Sequence, residues 1–299
     1  MNLGKAALCF LSMSLCTAQE APSPEDREAA YRAHVLKVLE GIRYREGVQE
    51  LPGGMARLEL PEGFRYLEPE DARKVVVDLW GNPPDAAADI LGMVIPQGEH
   101  LARPDSWAIV VSFSEDGHVD DRDADEINYD DLLAQLQESS RQSNEARKAA
   151  GFETMDLVGW AVAPRYDKEH KVLHWAKRFD VAGSDQDTLN YDVRVLGRRG
   201  VLSLNGIADL SRVADIEAAS PAIVSMLRFN DGHRYADFDP ATDEKADYSL
   251  AGLLVGGAVA AKVAAKAGFF AKFGKLILLG AIGLGALGKK LLGRRKAAG

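Results

Sequence analysis

The acidic segment, residues 116–131, holds the densest group of candidate metal ligands in the sequence. The candidates are three aspartates at alternate positions, Asp121, Asp123 and Asp125, and the nearby His118. Alternating aspartates begin a calcium-binding loop, but Glu126 stands where that loop needs glycine and Leu132 where it needs a bidentate glutamate. Two interpretations therefore stay open. These residues form a site for calcium or another divalent ion, or the segment is a solvated turn whose acids favour the start of a helix.

Other residues that could perform chemistry lack suitable partners. His170 and His174 would share one face of a helix, but the alternating residues around them favour a strand, which weakens the pair as a metal site. The sequence contains no HExxH, GxSxG, P-loop or GxGxxG motif. No catalytic constellation and no further cofactor are predicted, so the sequence favours a binding protein over an enzyme.

Two further features are ambiguous. The motif Gly197-Arg198-Arg199-Gly200 is predicted at a hairpin tip, where its arginines either bind an anion or are simply exposed. Several aromatic residues at strand positions either line a ligand groove or pack in the core: Trp80, Trp107, Trp160, Trp175, Tyr166 and Tyr191.

Residues 1–18 have the features of an export signal. Lys5 supplies a positive charge, and an apolar stretch of about ten residues follows, which is too short to span a bilayer. Small residues before Gln19 suit a signal peptidase. Cleavage after Ala18 would remove both cysteines, Cys9 and Cys16, and leave a chain without disulfides or cysteine-ligated metal.

Charge is distributed unevenly along the 299 residues. The formal net charge is −9, from 36 lysines and arginines against 45 aspartates and glutamates. Nine of the basic residues and none of the acidic ones lie in residues 250–299, which leaves −18 for residues 1–249. We therefore expect the body to repel nucleic acid and the tail to attract anionic lipid headgroups.

The tail, residues 246–299, is predicted to be a membrane anchor with a basic end. Its apolar runs, 250–261 and 276–288, are shorter than the roughly 20 residues of a spanning helix. Small residues at four-residue spacing suit helix packing in lipid: Gly252, Gly256, Ala260 and Ala264. Three arrangements stay open, namely one span over 268–288 with a cytoplasmic end, a hairpin, or an interfacial helix. The predicted partners are the lipid bilayer and either an envelope protein or a second copy of the chain.

Local patterns predict the elements that position these residues. Helical spacing and end signals predict helices at 24–40, 69–79, 129–147 and 213–229, the last kinked at Pro221. Alternation and β-branched runs predict strands at 56–60, 90–95, 107–113, 157–163, 171–179, 190–195, 200–208 and 234–238, with turns at 164–167, 183–185 and 197–200. The strands from 157 to 208 are spaced like an antiparallel meander. The predicted fold class is α+β, with antiparallel sheets, flanking helices and a hydrophobic C-terminal helical anchor.

Several sequence strings, taken together, resemble one family. They include LPEGFRYL at Leu60, WGNPP at Trp80, LVGWAVAPRYD at Leu157, LHWAKRF at Leu173 and LNYDVRVLGRRGVL at Leu189. The chain resembles the bacterial membrane-anchored family called domain of unknown function 2167, from about Gly54 through the tail. The resemblance implies an exported domain with a C-terminal hydrophobic anchor, and it carries over no catalytic residue.

Four parts are predicted: a signal peptide at 1–18, a helix and linker at 19–53, an extracytoplasmic α+β domain at 54–245 and the anchor at 246–299. We expect a cell-membrane protein whose main domain is periplasmic and whose tail ends in the cytoplasm. Its expected role is that of a binding or scaffold domain of the cell envelope. The alternative is a binder or enzyme that depends on a divalent metal held by the acidic segment.

Overall fold

A computed structural model describes residues 23–80, 82, 84–103, 106–149, 153–184 and 187–255. The predicted signal peptide and the greater part of the predicted anchor lie outside these residues. Within the described ranges, no helix combines the length and the apolar character needed to cross a membrane.

The helices are α1 Pro24–Glu40, α2 Pro69–Lys74, α3 Tyr129–Ala149, α4 Val213–Met226 and α5 Leu250–Leu254. A π-helical turn, Val75–Leu79, continues α2, and 3-10 turns lie at Pro84–Ala87, Leu210–Arg212 and Tyr235–Asp237. The strands are β1 Tyr44–Arg45, β2 Val48–Glu50, β3 Ala56–Glu59, β4 Phe64–Leu67, β5 Ile90–Pro96, β6 Ala108–Ser114, β7 His118–Asp120, β8 Met155–Asp167, β9 Val172–Val181, β10 Thr188–Leu196, β11 Val201–Asp209, β12 Leu227–Phe229 and β13 Lys245–Ser249.

The predicted first helix is confirmed, and its start has a local cause. Ser23 Oγ accepts the Asp26 N–H at 3.1 Å, while the Asp26 carboxylate accepts the Ser23 N–H at 3.2 Å. This reciprocal pair satisfies N–H groups that a helix start leaves free, and Pro24 fits the first helical position.

The main sheet has eight strands in the order β1-β4-β5-β6-β11-β10-β9-β8, and each neighbouring pair is antiparallel. The predicted meander over β8 to β11 is confirmed. A three-stranded antiparallel sheet, β12-β3-β2, and a parallel pair, β13-β7, complete the described strands. This grouping confirms an α+β fold with antiparallel sheets and flanking helices.

The main sheet is covered on both faces. One face packs against the three-stranded sheet and α4, with Tyr191 and Val193 of β10 in the same core as Ile216 and Ile223 of α4. On the opposite face, α1, α2 and the π-helical turn cover β4, β5 and β6. On that same face, α3, α5 and the β7–β13 pair cover β8, β9 and β10 around Trp175. The opposite face is therefore divided between two separate groups of covering elements.

Helix α3 also covers the outer edge of the main sheet at β8. Gln137 donates to the Val158 carbonyl at 3.0 Å, and Ser140 donates to the Met155 carbonyl at 2.8 Å. Asn144 Oδ1 accepts the Met155 N–H at 2.8 Å. These bonds satisfy backbone groups that would otherwise form an open edge. The polar character of α3 is explained by this contact, since one of its faces binds backbone rather than an apolar core.

Three local predictions are wrong for identifiable reasons. The turn at 164–167 does not exist, because β8 continues to Asp167. Pro164 is tolerated in β8 since this is an edge strand whose register shifts between Val162 and Arg165. The helix predicted to reach Phe229 ends at Met226, because β12 pairs with β3, and Pro221 lies inside one continuous helix. The strand predicted at 234–238 is a 3-10 turn, closed by the Asp237 carboxylate.

Candidate functional site

Asp121 is the centre of a network of phenol and ammonium groups. It accepts the Tyr166 hydroxyl at 2.6 Å, the Tyr235 hydroxyl at 3.0 Å and Lys171 Nζ at 2.7 Å. Burial raises the pKa of Asp121, but these hydrogen bonds outweigh burial, so the pKa lies below its ordinary value. The carboxylate is therefore ionised and accepts hydrogen bonds from the end of β8, from the turn between β8 and β9, and from the 3-10 turn.

Asp123 holds the start of helix α5. It accepts Ser249 Oγ at 2.6 Å and the backbone N–H groups of Leu250 and Ala251 at 3.2 and 3.1 Å. A carboxylate at this place satisfies free N–H groups and favours the positive end of a helix. A residue 127 positions earlier in the chain thus caps α5.

The other two predicted ligands also have partners of their own. Asp125 pairs with Lys168 at the exposed surface. The His118 ring stacks on Phe238 with centroids 4.0 Å apart and lies 4.2 Å from the Tyr235 ring. Burial lowers the pKa of His118. Across the described residues, no group of three or more histidine, cysteine, aspartate or glutamate side chains is placed to hold a metal ion.

These contacts join the acidic segment to the last described part of the chain, residues 230–255, which we call the C-terminal clasp. Strand β13 pairs in parallel with β7, and Tyr248 donates to Asp116 at 2.9 Å. Leu250, Leu253 and Leu254 are buried beside Val119. The acidic segment therefore binds the first residues of the tail.

The arginines of the hairpin tip bind the clasp from outside it. Arg198 Nε donates to Asp243 at 2.6 Å and Arg199 Nε donates to it at 3.2 Å. Hydrogen bonding from Arg198 is the main cause of the low pKa of Asp243. The motif was predicted either to bind an anion or to be exposed. In the structure its arginines bind an anionic group of the same chain, the Asp243 carboxylate.

The small-residue stripe of the tail is described at one position only. Gly252 lies in α5, where an added Cβ would stand 2.7 Å from Cβ of Tyr248. Close packing within the clasp is thus sufficient reason for a glycine there. Gly256, Ala260 and Ala264 lie outside the described residues, and their role in helix packing stays a prediction.

Asp123→Ala is expected to destabilise the clasp. Loss of the cap should lower the free energy of unfolding by about 1 kcal/mol and speed hydrogen exchange at the Leu250 and Ala251 amides. Asp125→Ala is the matched control, because its pair with Lys168 is exposed and worth at most about 0.5 kcal/mol. Mass spectrometry measures the exchange. Equal exchange rates of the amides of residues 245–255 in the two variants would contradict the capping role.

A second group of polar side chains lies on the main sheet, on the face covered by helices. We call it the sheet-face cluster, and its members come from three adjacent strands: Trp175, Lys177, Asn190, Asp192, Arg194 and Asn205. Asp192 is opposite Trp175 on β9 and opposite Asn205 on β11. The cluster lies between the two groups of covering elements, since Trp175 belongs to the core beside α5 and Ile207 to the core beside α2.

Asp192 is the buried centre of this cluster, with 1% of its surface exposed. Its Oδ1 accepts Arg194 Nη2 at 2.7 Å and Asn205 Nδ2 at 2.8 Å, while Lys177 Nζ lies 3.4 Å from Oδ2. Asn190 and Asn205 exchange side-chain hydrogen bonds of 3.3 and 3.2 Å. Burial raises the pKa of Asp192, but Arg194 and Lys177 outweigh it, so the pKa lies below its ordinary value.

The aromatic ring of Trp175 forms part of the cluster. Lys177 Nζ is 5.9 Å and the Arg194 guanidinium carbon 5.3 Å from its centroid, which is within reach of a cation–π interaction. The ring is almost fully buried, and its Nε1–H has no hydrogen-bond partner among the described residues. Trp175 is thus a predicted candidate that lies in a polar site, whereas the charged residues around it were not predicted.

Comparison with known proteins identifies a family for this chain but no activity. No curated protein matches the chain. The solution structure of cyanobacterial PsbP (CyanoP) from Synechocystis sp. PCC 6803 matches with a TM-score of 0.33 and 9% identity, over 63% of this chain and 92% of that one. The Ran-binding protein Mog1p from Saccharomyces cerevisiae matches with a TM-score of 0.30 and 8% identity, over 63% of this chain and 96% of that one.

The family comparison covers most of the chain. Residues 43–288 match the family described as protein of unknown function (DUF2167). The matched region begins one residue before β1 and includes both the clasp and the sheet-face cluster. The chain therefore belongs to the DUF2167 family.

Proposed function

We propose that this protein is a periplasmic binding domain tethered to the cell membrane by its C-terminal tail. The observation that carries the proposal is the clasp. Asp123 caps α5, and three leucines of α5 are buried, so the described end of the chain is fixed to the domain up to α5. A tether needs such a fixed point of attachment if the domain is to be held close to a surface.

Charge supports the same role. All nine basic residues of the tail follow Val255, with no acidic residue among them, whereas the rest of the chain is strongly acidic. A basic segment is attracted to anionic headgroups, and an acidic body is repelled from the same surface. Such a protein would present its domain outward, available to an envelope protein or a small ligand.

A vesicle flotation experiment tests the tether. The full chain should float with vesicles that contain phosphatidylglycerol, while a chain ending at Val255 should stay in the soluble fraction. The truncation retains every described residue, so an unchanged melting temperature would show that it folds. Equal flotation of the two chains, or of neither, would contradict the proposal.

The arrangement of the tail requires a separate measurement. A reporter active only in the cytoplasm, fused after Gly299, should be active if the tail spans the membrane once. Activity of a periplasm-specific reporter instead would indicate a hairpin or an interfacial helix. Extraction with alkaline carbonate then separates these two, because a helix lying on the surface is released and an inserted hairpin is retained.

A further inference from the structure

We propose that the sheet-face cluster is a binding site for the carboxylate group of a small molecule. This inference rests on the proposed binding function and names its ligand class. It depends neither on the tail nor on a membrane, so it can fail or succeed independently of the tether.

The charges of the cluster do not balance. Lys177 and Arg194 are both cationic, and among the described side chains Asp192 is the one carboxylate within 4.0 Å of either. The cluster therefore carries one surplus positive charge. An uncompensated charge in a buried place is unfavourable, and a bound anion would compensate it.

The hydrogen-bond donors are also in surplus. Among the described residues, the 3.4 Å ion pair with Asp192 is the one polar contact of Lys177 Nζ, and the buried Trp175 Nε1–H has no hydrogen-bond partner. Arg194 donates one N–H to Asp192 and another to the Val193 carbonyl at 3.4 Å, and its other N–H groups have no acceptor within the described part of the chain. A ligand for this place must therefore be rich in acceptors.

A carboxylate fits these requirements better than a phosphate. Its single charge equals the surplus, whereas a phosphate monoester carries nearly two charges at pH 7 and would reverse it. Carboxylate oxygens accept charge-assisted bonds from lysine and arginine at short distance.

Arg194 is the most exposed of the three charged side chains in the cluster. The side chain of Arg194 is 20% exposed, whereas Asp192 is 1% exposed. Arg194 is opposite Ser203 on β11, and Ser203 is opposite Ser112 on β6, so partly exposed hydroxyls continue the polar surface. The carboxylate would enter between the two groups of covering elements and reach Lys177 from this side.

The test uses the full chain in detergent and the indole N–H signals of its tryptophans in ¹H–¹⁵N spectra. Trp175→Phe assigns the Trp175 signal. Titration with acetate or benzoate should shift that signal saturably, with a dissociation constant on the order of millimolar for such small ligands. Chloride at equal ionic strength should not shift it, and inorganic phosphate should bind more weakly. No saturable shift, an equal shift with chloride, or tighter binding of phosphate would overturn the proposal.

Variants of Lys177 distinguish a ligand site from a structural ion pair. Lys177→Met should weaken acetate binding at least about tenfold, and Lys177→Arg should retain most of it. Without carboxylate, Lys177→Met should keep or raise the melting temperature, because Asp192 and Arg194 remain a neutral pair. A lower melting temperature with unchanged acetate affinity would assign Lys177 a structural role only and overturn the proposal.

Discussion

Replacing Asp192 with asparagine is expected to lower the free energy of unfolding by about 3–5 kcal/mol. The amide has nearly the same shape as the carboxylate, so packing is preserved while the charge is lost. Lys177 and Arg194 would then be two cations without a counter-ion in a largely buried place. Chemical denaturation of the wild type and the variant measures the loss.

Two further variants make this prediction specific. Asp180→Asn is the matched control, since Asp180 lies exposed on β9 and its loss should change stability by less than about 0.5 kcal/mol. Adding Lys177→Met to Asp192→Asn should restore part of the stability, because one of the two unpaired cations is removed. A loss below about 1 kcal/mol in the single variant would mean that Asp192 is not the counter-ion of the cluster.

The same carboxylate predicts a direction for the pH dependence. The pKa of Asp192 is lower in the folded state than its ordinary value, so its contribution is fully present above about pH 4. This contribution is lost as the pH falls through the native pKa. The stability difference between wild type and Asp192→Asn should therefore shrink progressively in acid. A difference that stayed constant below pH 4 would argue against an ionic origin.

Gly200→Ala is expected to cost about 3 kcal/mol or more. An added Cβ would stand 2.0 Å from the Ser114 carbonyl oxygen and 2.8 Å from the Phe113 ring. The oxygen belongs to the backbone of β6, which pairs with β11 at Val201 and Ser114. The strand therefore cannot move aside without losing hydrogen bonds at the junction of β6 and β11.

Gly159→Ala provides the comparison for this second prediction. Gly159 lies in β8, and an added Cβ there would meet no atom within 4 Å. Its effect on stability should lie within about 0.5 kcal/mol of the wild type. Melting temperatures of the two variants give the test, and similar values for both would show that the contact at Gly200 relaxes at little cost.

Elements with local causes could be predicted from the sequence. The cap at Ser23, Pro69 at the start of α2 and the apolar runs of β5 and β6 each act within a few residues. The meander was predictable for the same reason, since its strands follow one another and their pairing needs only the intervening turns. Membership of the family also followed from strings of neighbouring residues.

Contacts between distant parts of the chain could not be predicted in this way. The acidic segment looks like a solvated turn or a calcium loop because its partners lie elsewhere in the chain. Asp121 binds residues of β8, of the turn between β8 and β9, and of the clasp, and nothing in its own sequence neighbourhood indicates them. The parallel pairing of β7 with β13 likewise joins short strands whose own patterns are weak.

The sheet-face cluster was missed because its pattern suggests solvent. In β10, polar Asn190, Asp192 and Arg194 alternate with apolar residues, and such alternation is typical of a sheet with one solvent-exposed face. Burial comes from helices on either side, whose packing is a property of the whole fold. A charged residue at alternate strand positions can therefore indicate a covered site as well as a surface.

The capping of α5 by Asp123 also sets an order of events during synthesis. The two partners are 127 residues apart, so the core around Trp175 stays incomplete until the last described residues have been made. Until then Val119 and the apolar face of α3 have no cover from α5, and this exposed surface favours association with other chains. A nascent chain that stops before Lys245 should for this reason depend on chaperones far more than the finished protein does.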